Sequence, residues 1–381
     1  MKITEVRSTG LRGGTPEGGW SNELQPDDVV HTLIAIETDT GHIGVGSCFT
    51  SDTLVHGALE FLKPFLVGED PRETERVTEK LHRNSFWLGR GGAITHTISG
   101  IDTALWDLLG QFAGLPTGVL LGGRYRESVL PYASVLMQRP ELLASELKEL
   151  AAAGFRAFKI GWGDFGRVDS KTDETIVAAA REAVGEDALL AVDAGGSDAD
   201  FPGRLKWAIR TSKMLADYSV AWFEEALPPD LVTDFAELRR QSPVPIAGGE
   251  VLTRRQAFLP FLSGGAFDIV QPDVTKGGGL SDSRRIGWMA SELGVKLIPH
   301  GWNTAIGLAA DLQLASALPE TDLVEYKTGS AYIDDISENS WELDARGRLA
   351  IPTVPGLGYR LSPEGLEKYA TDPNFAQLRG T

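Results

Sequence analysis

Three acidic residues stand at the ends of three successive apolar runs. Asp193 closes LLAVD, Glu224 follows AWF and Glu250 follows PIAGG. Successive members of this set are roughly 30 residues apart, which leaves room for a helix and two loops and is typical of the repeat of a (β/α)8 barrel. Because such a barrel carries its chemistry where its strands end, the spacing predicts that these carboxylates meet at one mouth.

Two further strand-like runs carry a candidate proton-transfer pair. Asp273 lies in DIVQPDV and His300 in KLIPHGW, again about one barrel repeat apart. Three carboxylates can hold a hard cation, and an Asp/His pair can move a proton. Side chains alternate between the two faces of a strand, so each polar residue should end an inward series. The pairs expected to share the inward face are Ala191 and Asp193, Trp222 and Glu224, Gly248 and Glu250, Gln271 and Asp273, and Ile298 and His300.

The whole chain divides into three regions. Residues 1–125 begin with a three-stranded antiparallel pattern followed by helices, which indicates an α+β domain. Residues 126–330 alternate short strands with amphipathic helices, and residues 331–381 are a polar, turn-rich tail that we expect to fold back on the N-terminal domain. The expected fold class is α/β, a (β/α)8 barrel with an α+β capping domain. The eight predicted barrel strands are VLPYASV, FRAFKIGW, LLAVDA, VAWFEEA, VPIAGGE, DIVQPDV, KLIPHGW and DLVEYKT.

The composition of the chain excludes several classes of binding partner. The chain has 53 acidic and 36 basic residues, a formal net charge of −17, whereas binding to a phosphate backbone requires an excess of basic residues. Nucleic acid is therefore not expected as a partner. Cys48 is the only cysteine, which excludes an internal disulfide and a thiolate metal cage. No signal peptide and no apolar run of about 20 residues is present, so a cytoplasmic protein without a membrane partner is predicted.

Ordered strings along nearly the whole chain match a known family. The helix SGIDTALWDLLG is followed by WFEEALPPD, IAGGE, DIVQPDVTKGGG and IPHGW, in order and at barrel spacing. The chain thereby resembles the enolase superfamily, and within it the mandelate racemase subgroup of acid-sugar dehydratases and racemases. The resemblance implies that Asp193, Glu224 and Glu250 bind Mg2+. It also implies an Asp273/His300 dyad, in which the carboxylate orients the imidazole and raises its basicity.

The resemblance extends to residues around the substrate. Glu325, in LVEY on the eighth strand, resembles a glutamate that hydrogen-bonds a substrate carboxylate oxygen. Lys276 matches a lysine that commonly precedes the double glycine and is a candidate for substrate binding. The Gly-rich stretch LRGGTPEGGWSNE resembles the mobile loop that closes over the substrate, so Trp20 and Asn22 are candidates as well. Glu225 should point away from the site by strand parity and is expected to be structural.

The second barrel strand departs from the family pattern. The subgroup often carries Lys-x-Lys there, with the second lysine as a base on the substrate face opposite the histidine, whereas this chain has Lys159 and then Gly161. Parity puts Lys159 on the same inward face, one residue pair deeper. Lys159 is a catalytic candidate that could act on the substrate carboxylate or serve as a base, or a lysine that merely extends to water. Gly195 stands where relatives often have Asn, which leaves space for the substrate or another side chain.

These parts fit the removal of a proton next to a carboxylate. The resulting dianion needs charge neutralisation by a divalent metal and hydrogen-bond donors, and the enolase superfamily combines a Lys or His base with Mg2+ for this purpose. Without a lysine at position 161, racemisation lacks a second base, whereas elimination of water can use His300 first as base and then as acid. The sequence therefore predicts a lyase that dehydrates a sugar acid to a 2-keto-3-deoxy acid, with Mg2+ as cofactor.

Two alternatives to dehydration stay open. Racemisation or epimerisation, and lactone cycloisomerisation, use the same enolate intermediate and would make the protein an isomerase. A non-catalytic binding protein on the same fold is less favoured, because the ligands and the dyad are retained. The family commonly forms dimers or octamers, so a homo-oligomer is expected. Which sugar acid is the substrate stays open.

Overall fold

The chain starts with a three-stranded antiparallel sheet packed against helices, in a computed structural model that describes residues 1–15, 24–196 and 204–375. The middle strand pairs with both others. The helix Gly92–Ala113 lies so close to the third strand, Ile43–Cys48, that a Cβ on Gly46 would be 1.9 Å from the backbone oxygen of Gly100. The elements are β1 (Ile3–Leu11), β2 (His31–Thr38), β3 (Ile43–Cys48), α1 (Asp52–Leu66), α2 (Thr74–Asn84), a 3-10 turn (Phe86–Leu88), α3 (Gly92–Ala113) and α4 (Thr117–Leu120).

In the described residues of the second part, eight parallel strands alternate with seven helices, which confirms the predicted barrel. The ladder runs in chain order from the first strand of the barrel to the seventh, and the eighth returns to pair with the first. The elements are β4 (Ser128–Leu136), α5 (Pro140–Ala152), β5 (Ala157–Gly161), α6 (Ser170–Val184), β6 (Leu189–Asp193), α7 (Arg204–Asp217), β7 (Phe223–Glu224), α8 (Val232–Gln241), β8 (Ile246–Gly248), α9 (Arg254–Ser263), β9 (Ile269–Val270), α10 (Gly279–Glu292), β10 (Lys296–Leu297), α11 (Ala305–Ala317) and β11 (Leu323–Lys327).

The interior of the barrel is built in two levels. The lower level is apolar and takes one side chain from each strand or from the residue directly beside it. Because inward positions recur every two residues, the next level lies two residues further along, and there the side chains are polar. The lower level consists of Tyr132, Ala157, Ala191, Trp222, Ala247, Ile269, Ile298 and Leu323. The polar level above it consists of Ser134, Lys159, Asp193, Glu224, Gln271, His300 and Glu325.

Strand β8 breaks the expected alternation, and the predicted inward pairing of Gly248 with Glu250 is wrong. Ala247 is the inward residue, while a Cβ on Gly248 would lie 2.9 Å from Phe267 in the core outside the barrel. Gly249 then adopts a left-handed backbone with φ of 116°, a conformation that glycine accepts without a steric cost. This turn brings Glu250 back to the mouth three residues after Ala247.

The tail returns to the N-terminal sheet, as the sequence predicts. Its elements are α12 (Ala331–Asp334), β12 (Leu349–Ala350), which pairs antiparallel with β4, and α13 (Pro363–Tyr369). The backbone N–H of Thr371 donates to the oxygen of Gly10, and the buried carboxylate of Asp107 on α3 accepts from Leu357 N and the Tyr359 hydroxyl. Both chain regions therefore build one cap. The domain limits at residues 125 and 330 stay predictions.

No helix in the described ranges is both long and apolar enough to span a membrane.

Candidate active site

The three predicted metal ligands meet at the mouth of the barrel. Asp193 ends β6, Glu224 ends β7 and Glu250 follows the turn after β8. All three side chains are buried, and one oxygen from each lies within 4.8 Å of the other two. Burial raises the pKa of Asp193 well above its usual value, and repulsion by Glu224 raises it further. Such a cluster of anions fits a hard divalent cation, whose preferred ligands are carboxylate oxygens.

Two inward side chains that the sequence interpretation did not assign hold Glu224 in place. The indole N–H of Trp222 and the amide Nε2 of Gln271 both donate to Glu224 Oε2, each at 2.8 Å. The other oxygen, Oε1, accepts from the ammonium of Lys159. Both donors belong to the inward series by parity, so the pattern that located Glu224 could also have located them.

Lys159 lies between three carboxylates. Its Nζ is 2.5 Å from Glu224 Oε1, 3.0 Å from Glu325 Oε1 and 3.3 Å from Asp193 Oδ2. Burial lowers the pKa of Lys159, but attraction to Glu224 and Glu325 outweighs burial and holds the pKa well above its usual value. The side chain is therefore a cation that compensates the acidic cluster, rather than a lysine that extends to water.

His300 and Asp273 form the predicted pair. The His300 Nδ1 is 2.7 Å from Asp273 Oδ2, while Nε2 lies 3.4 Å from Glu250 Oε2. Burial lowers the pKa of His300, but attraction to Glu250 and Glu325 and the hydrogen bond to Asp273 raise it on balance. Because Asp273 engages Nδ1, the Nε2 atom is the one presented to the cavity.

Asp273 is held as an ionised carboxylate. The backbone N–H and hydroxyl of Thr275 both donate to Asp273 Oδ1 at 2.6 Å. Lys276 Nζ lies 3.7 Å from Asp273 Oδ2 and stacks on the ring of Phe49. Burial raises the pKa of Asp273, but Lys276 and His300 lower it further than burial raises it. Lys276 thus contacts the dyad, and its predicted contact with substrate stays a prediction.

Glu325 accepts hydrogen bonds in this arrangement. Its Oε2 accepts from the backbone N–H of Gly301 at 2.8 Å, and its Oε1 lies against Lys159. Burial raises the pKa of Glu325, but Lys159 and His300 outweigh burial and lower the pKa to about 2. An ionised glutamate has no proton to donate, so the predicted hydrogen bond to a substrate carboxylate requires Glu325 to take up a proton.

Glu225 lies outside the cluster, as parity predicts. Its Oε1 accepts from the backbone N–H of Gly249 at 3.0 Å, next to the turn that redirects Glu250. Burial raises the pKa of Glu225 well above its usual value, and the charge on Glu250 adds to the shift. The side chain therefore supports the turn.

A cavity of about 220 Å³ opens above the cluster. Position 161 is tightly packed, because a Cβ there would lie 3.0 Å from Asp193 Cβ. Position 195 is occupied in part by Trp162, whose ring a Cβ would meet at 2.6 Å. Trp20 and Asn22 lie outside the described residues. The described residues that line the cavity include Phe49, Ser134, Trp162, Trp302 and Lys327.

Comparisons with known proteins agree with this geometry. The family model for the mandelate racemase / muconate lactonizing enzyme N-terminal domain matches residues 27–122, and that for the enolase C-terminal domain-like family matches residues 142–365. D-galactarolactone cycloisomerase from Agrobacterium fabrum is 33% identical over 97% of this chain and 99% of its own. Arabinonate dehydratase from Saccharolobus solfataricus is 33% identical over 90% and 91%.

A solved structure shows the same architecture. The 3,6-anhydro-D-galactonate cycloisomerase from Zobellia galactanivorans superposes with a TM-score of 0.87 at 29% identity, covering 98% of this chain and 100% of that chain. The match extends over cap and barrel together, so the fold is a modified TIM barrel with an N-terminal capping domain. The chain belongs to the enolase superfamily, in its mandelate racemase / muconate lactonizing enzyme group.

Proposed function

We propose that this protein is a Mg2+-dependent acid-sugar dehydratase, a lyase that removes the proton next to a substrate carboxylate and then eliminates water. One observation carries the proposal: His300 Nε2 opens on the same buried cavity as the acidic cluster, while Gly161 provides no second base. The dehydratase relative from Saccharolobus solfataricus, named for arabinonate, supports the same reaction class.

Asp193, Glu224 and Glu250 would hold the metal. Three buried carboxylates within 4.8 Å of one another, with no cysteine or histidine among them, fit Mg2+ better than zinc. When bound, the ion would stabilise negative charge on the substrate carboxylate as a Lewis acid. The ammonium of Lys159, next to two of these ligands, adds positive charge for the same carboxylate and is assigned this electrostatic role rather than that of a base.

His300 moves the proton. With Nδ1–H held by Asp273, the lone pair of Nε2 takes the proton from C2 of the substrate. The electron pair of that C–H bond is first delocalised onto the substrate carboxylate as an enolate, and then forms the C2–C3 double bond as the C3–O bond breaks. The leaving hydroxide takes the proton back from Nε2 and departs as water, so one imidazole serves both steps when both groups lie on one face. The enol product then becomes the 2-keto-3-deoxy acid.

The absence of a side chain at position 161 favours elimination over racemisation. Racemisation needs an acid and a base on opposite faces of a planar intermediate. Lys159 is engaged by three carboxylates and is charged, so it is poorly suited to accept a proton. Dehydration needs only His300. The predicted contacts of Trp20, Asn22, Lys276 and Glu325 with the substrate are part of the proposal.

Lactone cycloisomerisation is the second candidate. Relatives from Agrobacterium fabrum and Zobellia galactanivorans that match nearly the whole chain are named cycloisomerases. That reaction also begins or ends at a carbon next to a carboxylate, so His300 and the metal ligands would serve both. The substrate and the mass balance distinguish the two reactions, because dehydration converts an open-chain acid with loss of one water, whereas cycloisomerisation opens a ring and leaves the mass unchanged.

The test is a screen of five- and six-carbon sugar acids and their lactones with Mg2+ in D2O. We expect the open-chain acids to release a 2-keto-3-deoxy acid with loss of one water and, for slow substrates, exchange of the C2 proton followed by NMR. His300→Asn should lose both, by a factor on the order of 10² to 10⁴, while keeping its circular dichroism spectrum. Exchange at the parental rate in that variant would move the base to another residue. Epimers or ring-opened isomers as the sole products would replace dehydration by an isomerase reaction.

We also expect a homo-oligomer. Trp87 is 91% exposed at the 3-10 turn after α2, next to the half-exposed Phe86. Apolar exposure of this kind marks contact surfaces when it is contiguous. Light scattering behind size-exclusion chromatography measures the state, and a monomer at micromolar concentration would contradict the expectation.

A further inference from the structure

Three lysines line the cavity, and they differ in their partners. Lys159 is surrounded by carboxylates, and Lys276 lies 3.7 Å from Asp273. Lys327 has no carboxylate within 4.0 Å among the residues that the structure describes. Its Nζ donates to the backbone oxygen of Thr328 at 3.0 Å and lies 5.3 Å from the ring centre of Trp302. An ammonium carries three N–H groups, so two remain for a ligand.

Lys327 lies on the same strand as Glu325, close to the reaction centre. It ends β11, two residues after Glu325, so both side chains share the inward face. Two residues of a strand advance about 6.6 Å, which places Lys327 one level nearer the cavity opening. In the ladder it lies beside Ser134, which itself lies beside Lys159. Lys327 also lines the same cavity as Asp193 and His300, so one ligand in that cavity can contact both Lys327 and the reaction centre.

The surroundings of Lys327 strengthen its attraction for an anion. Burial lowers the pKa of Lys327, and the acidic groups Glu146, Glu325 and Asp334 partly restore it. None of these three lies within ion-pair distance of Nζ in the described residues. A half-buried cation without a direct counter-ion has lost part of its hydration and gains more from a ligand carboxylate than an exposed lysine does.

We propose that Lys327 binds a second carboxylate at the far end of the substrate, so that the sugar acid is an aldaric acid, with a carboxylate at each end. The inference rests on the proposed function for the near end, where C2 reacts beside His300. Trp302 positions the ammonium by contact with its ring face, and the two unbonded N–H groups bind the distal carboxylate. An aldonic acid, which has a hydroxymethyl group at that end, cannot form this ion pair with Lys327.

The experiment compares matched acids that differ only at the last carbon. Six-carbon aldaric acids and aldonic acids of the same hydroxyl stereochemistry are assayed with Mg2+, and their Kd values are measured by calorimetry on the non-reacting His300→Asn protein. We expect the aldaric acid to be favoured by on the order of 10- to 100-fold in kcat/KM and in Kd, as for a hydrogen bond to a charged group. Lys327→Met should remove most of that ratio by raising KM and Kd for the aldaric acid, and Lys327→Arg should retain part of it.

The control is Lys148→Met, an exposed lysine on α5, which should leave the ratio unchanged. Equal preference for both acids in the parent protein, or equal losses for both in Lys327→Met, would overturn the inference and make Lys327 structural. Binding preference without any turnover or C2 exchange would support the distal site while refuting the proposed reaction. The Kd measurements therefore distinguish a failure of the distal-site inference from a failure of the proposed reaction.

Discussion

Lys159→Met removes the cation that three buried carboxylates share, and its effect on stability should be large. Methionine has a similar length and is uncharged, so the change removes charge with little loss of packing. Leaving one side of a buried ion pair without its partner costs about 3–5 kcal/mol. Because burial already raises the pKa of Asp193, that carboxyl can take up a proton in compensation, which places the loss near the lower end, about 3 kcal/mol.

The assay is thermal unfolding in EDTA and in Mg2+. A loss of about 3 kcal/mol corresponds to a decrease in Tm of roughly 4 °C for a chain of 381 residues, since the entropy of unfolding is about 2.1 cal/mol/K per residue. Mg2+ at 100 times its Kd adds about 2.7 kcal/mol to any protein that binds it only when folded. The variant should gain at least as much from Mg2+ as the parent, because the competing ammonium of Lys159 is gone.

Repeated at several pH values, the same experiment should show the stability deficit of the variant changing in one direction. In the variant, carboxyl groups of the folded state have pKa values above those of the unfolded state. The folded state therefore binds more protons as the pH falls through those values, and the deficit relative to the parent should shrink from pH 8 to pH 5. Lys148→Met serves as control. A variant that melts within 1 °C of the parent in EDTA, roughly the error of one such measurement, would refute the counter-ion role.

Three further predictions concern the same residues and the cap. Glu250→Gln should keep the fold but weaken Mg2+ binding by more than the roughly 10-fold typical of outer-shell changes, and an unchanged Kd by calorimetry would contradict the ligand assignment. Gly161→Ala should also weaken Mg2+ binding, because its new Cβ would lie 3.0 Å from Asp193 Cβ, whereas Gly57→Ala, with open space, should not. Burial lowers the pKa of His82 to about 3, so the unfolded state binds the proton first below pH 6.5 and stability falls by about 1.4 kcal/mol per pH unit; His82→Leu should flatten the urea-unfolding profile between pH 6.5 and 4.

Most of the mouth of the barrel could be predicted because it depends on local periodicity. Asp193, Glu224 and His300 occupy inward positions that follow from alternation along each strand, and the structure has them there. Glu250 reaches the same place for a different reason, the left-handed turn at Gly249. A positive φ is not a periodic property, so the parity argument reached the right cluster through a wrong pairing.

Side-chain contacts between different strands were harder to predict from the sequence. That Lys159 contacts Glu224 and Glu325 depends on the shear of the barrel and on side-chain conformations, neither of which a single strand encodes. Lys327 lies two residues after Glu325 on the same face, so strand alternation alone is enough to place it at the mouth of the barrel. The attachment of the tail at Asp107 joins residues 250 positions apart, which no local pattern anticipates.

The cap is built from two regions that lie far apart in the sequence, and this limits the order in which its contacts can form. Because β1 is synthesised before the tail, its backbone contact with Thr371 and the contact of Tyr359 with Asp107 form only after those tail residues have left the ribosome. The barrel strands, all encoded in between, can pair before that moment. A chain that ended before these tail residues would keep the contacts of the cap with the barrel, such as the hydrogen bond from the Trp106 indole N–H to the Ser281 hydroxyl, but would lack the contacts that join the cap to the tail.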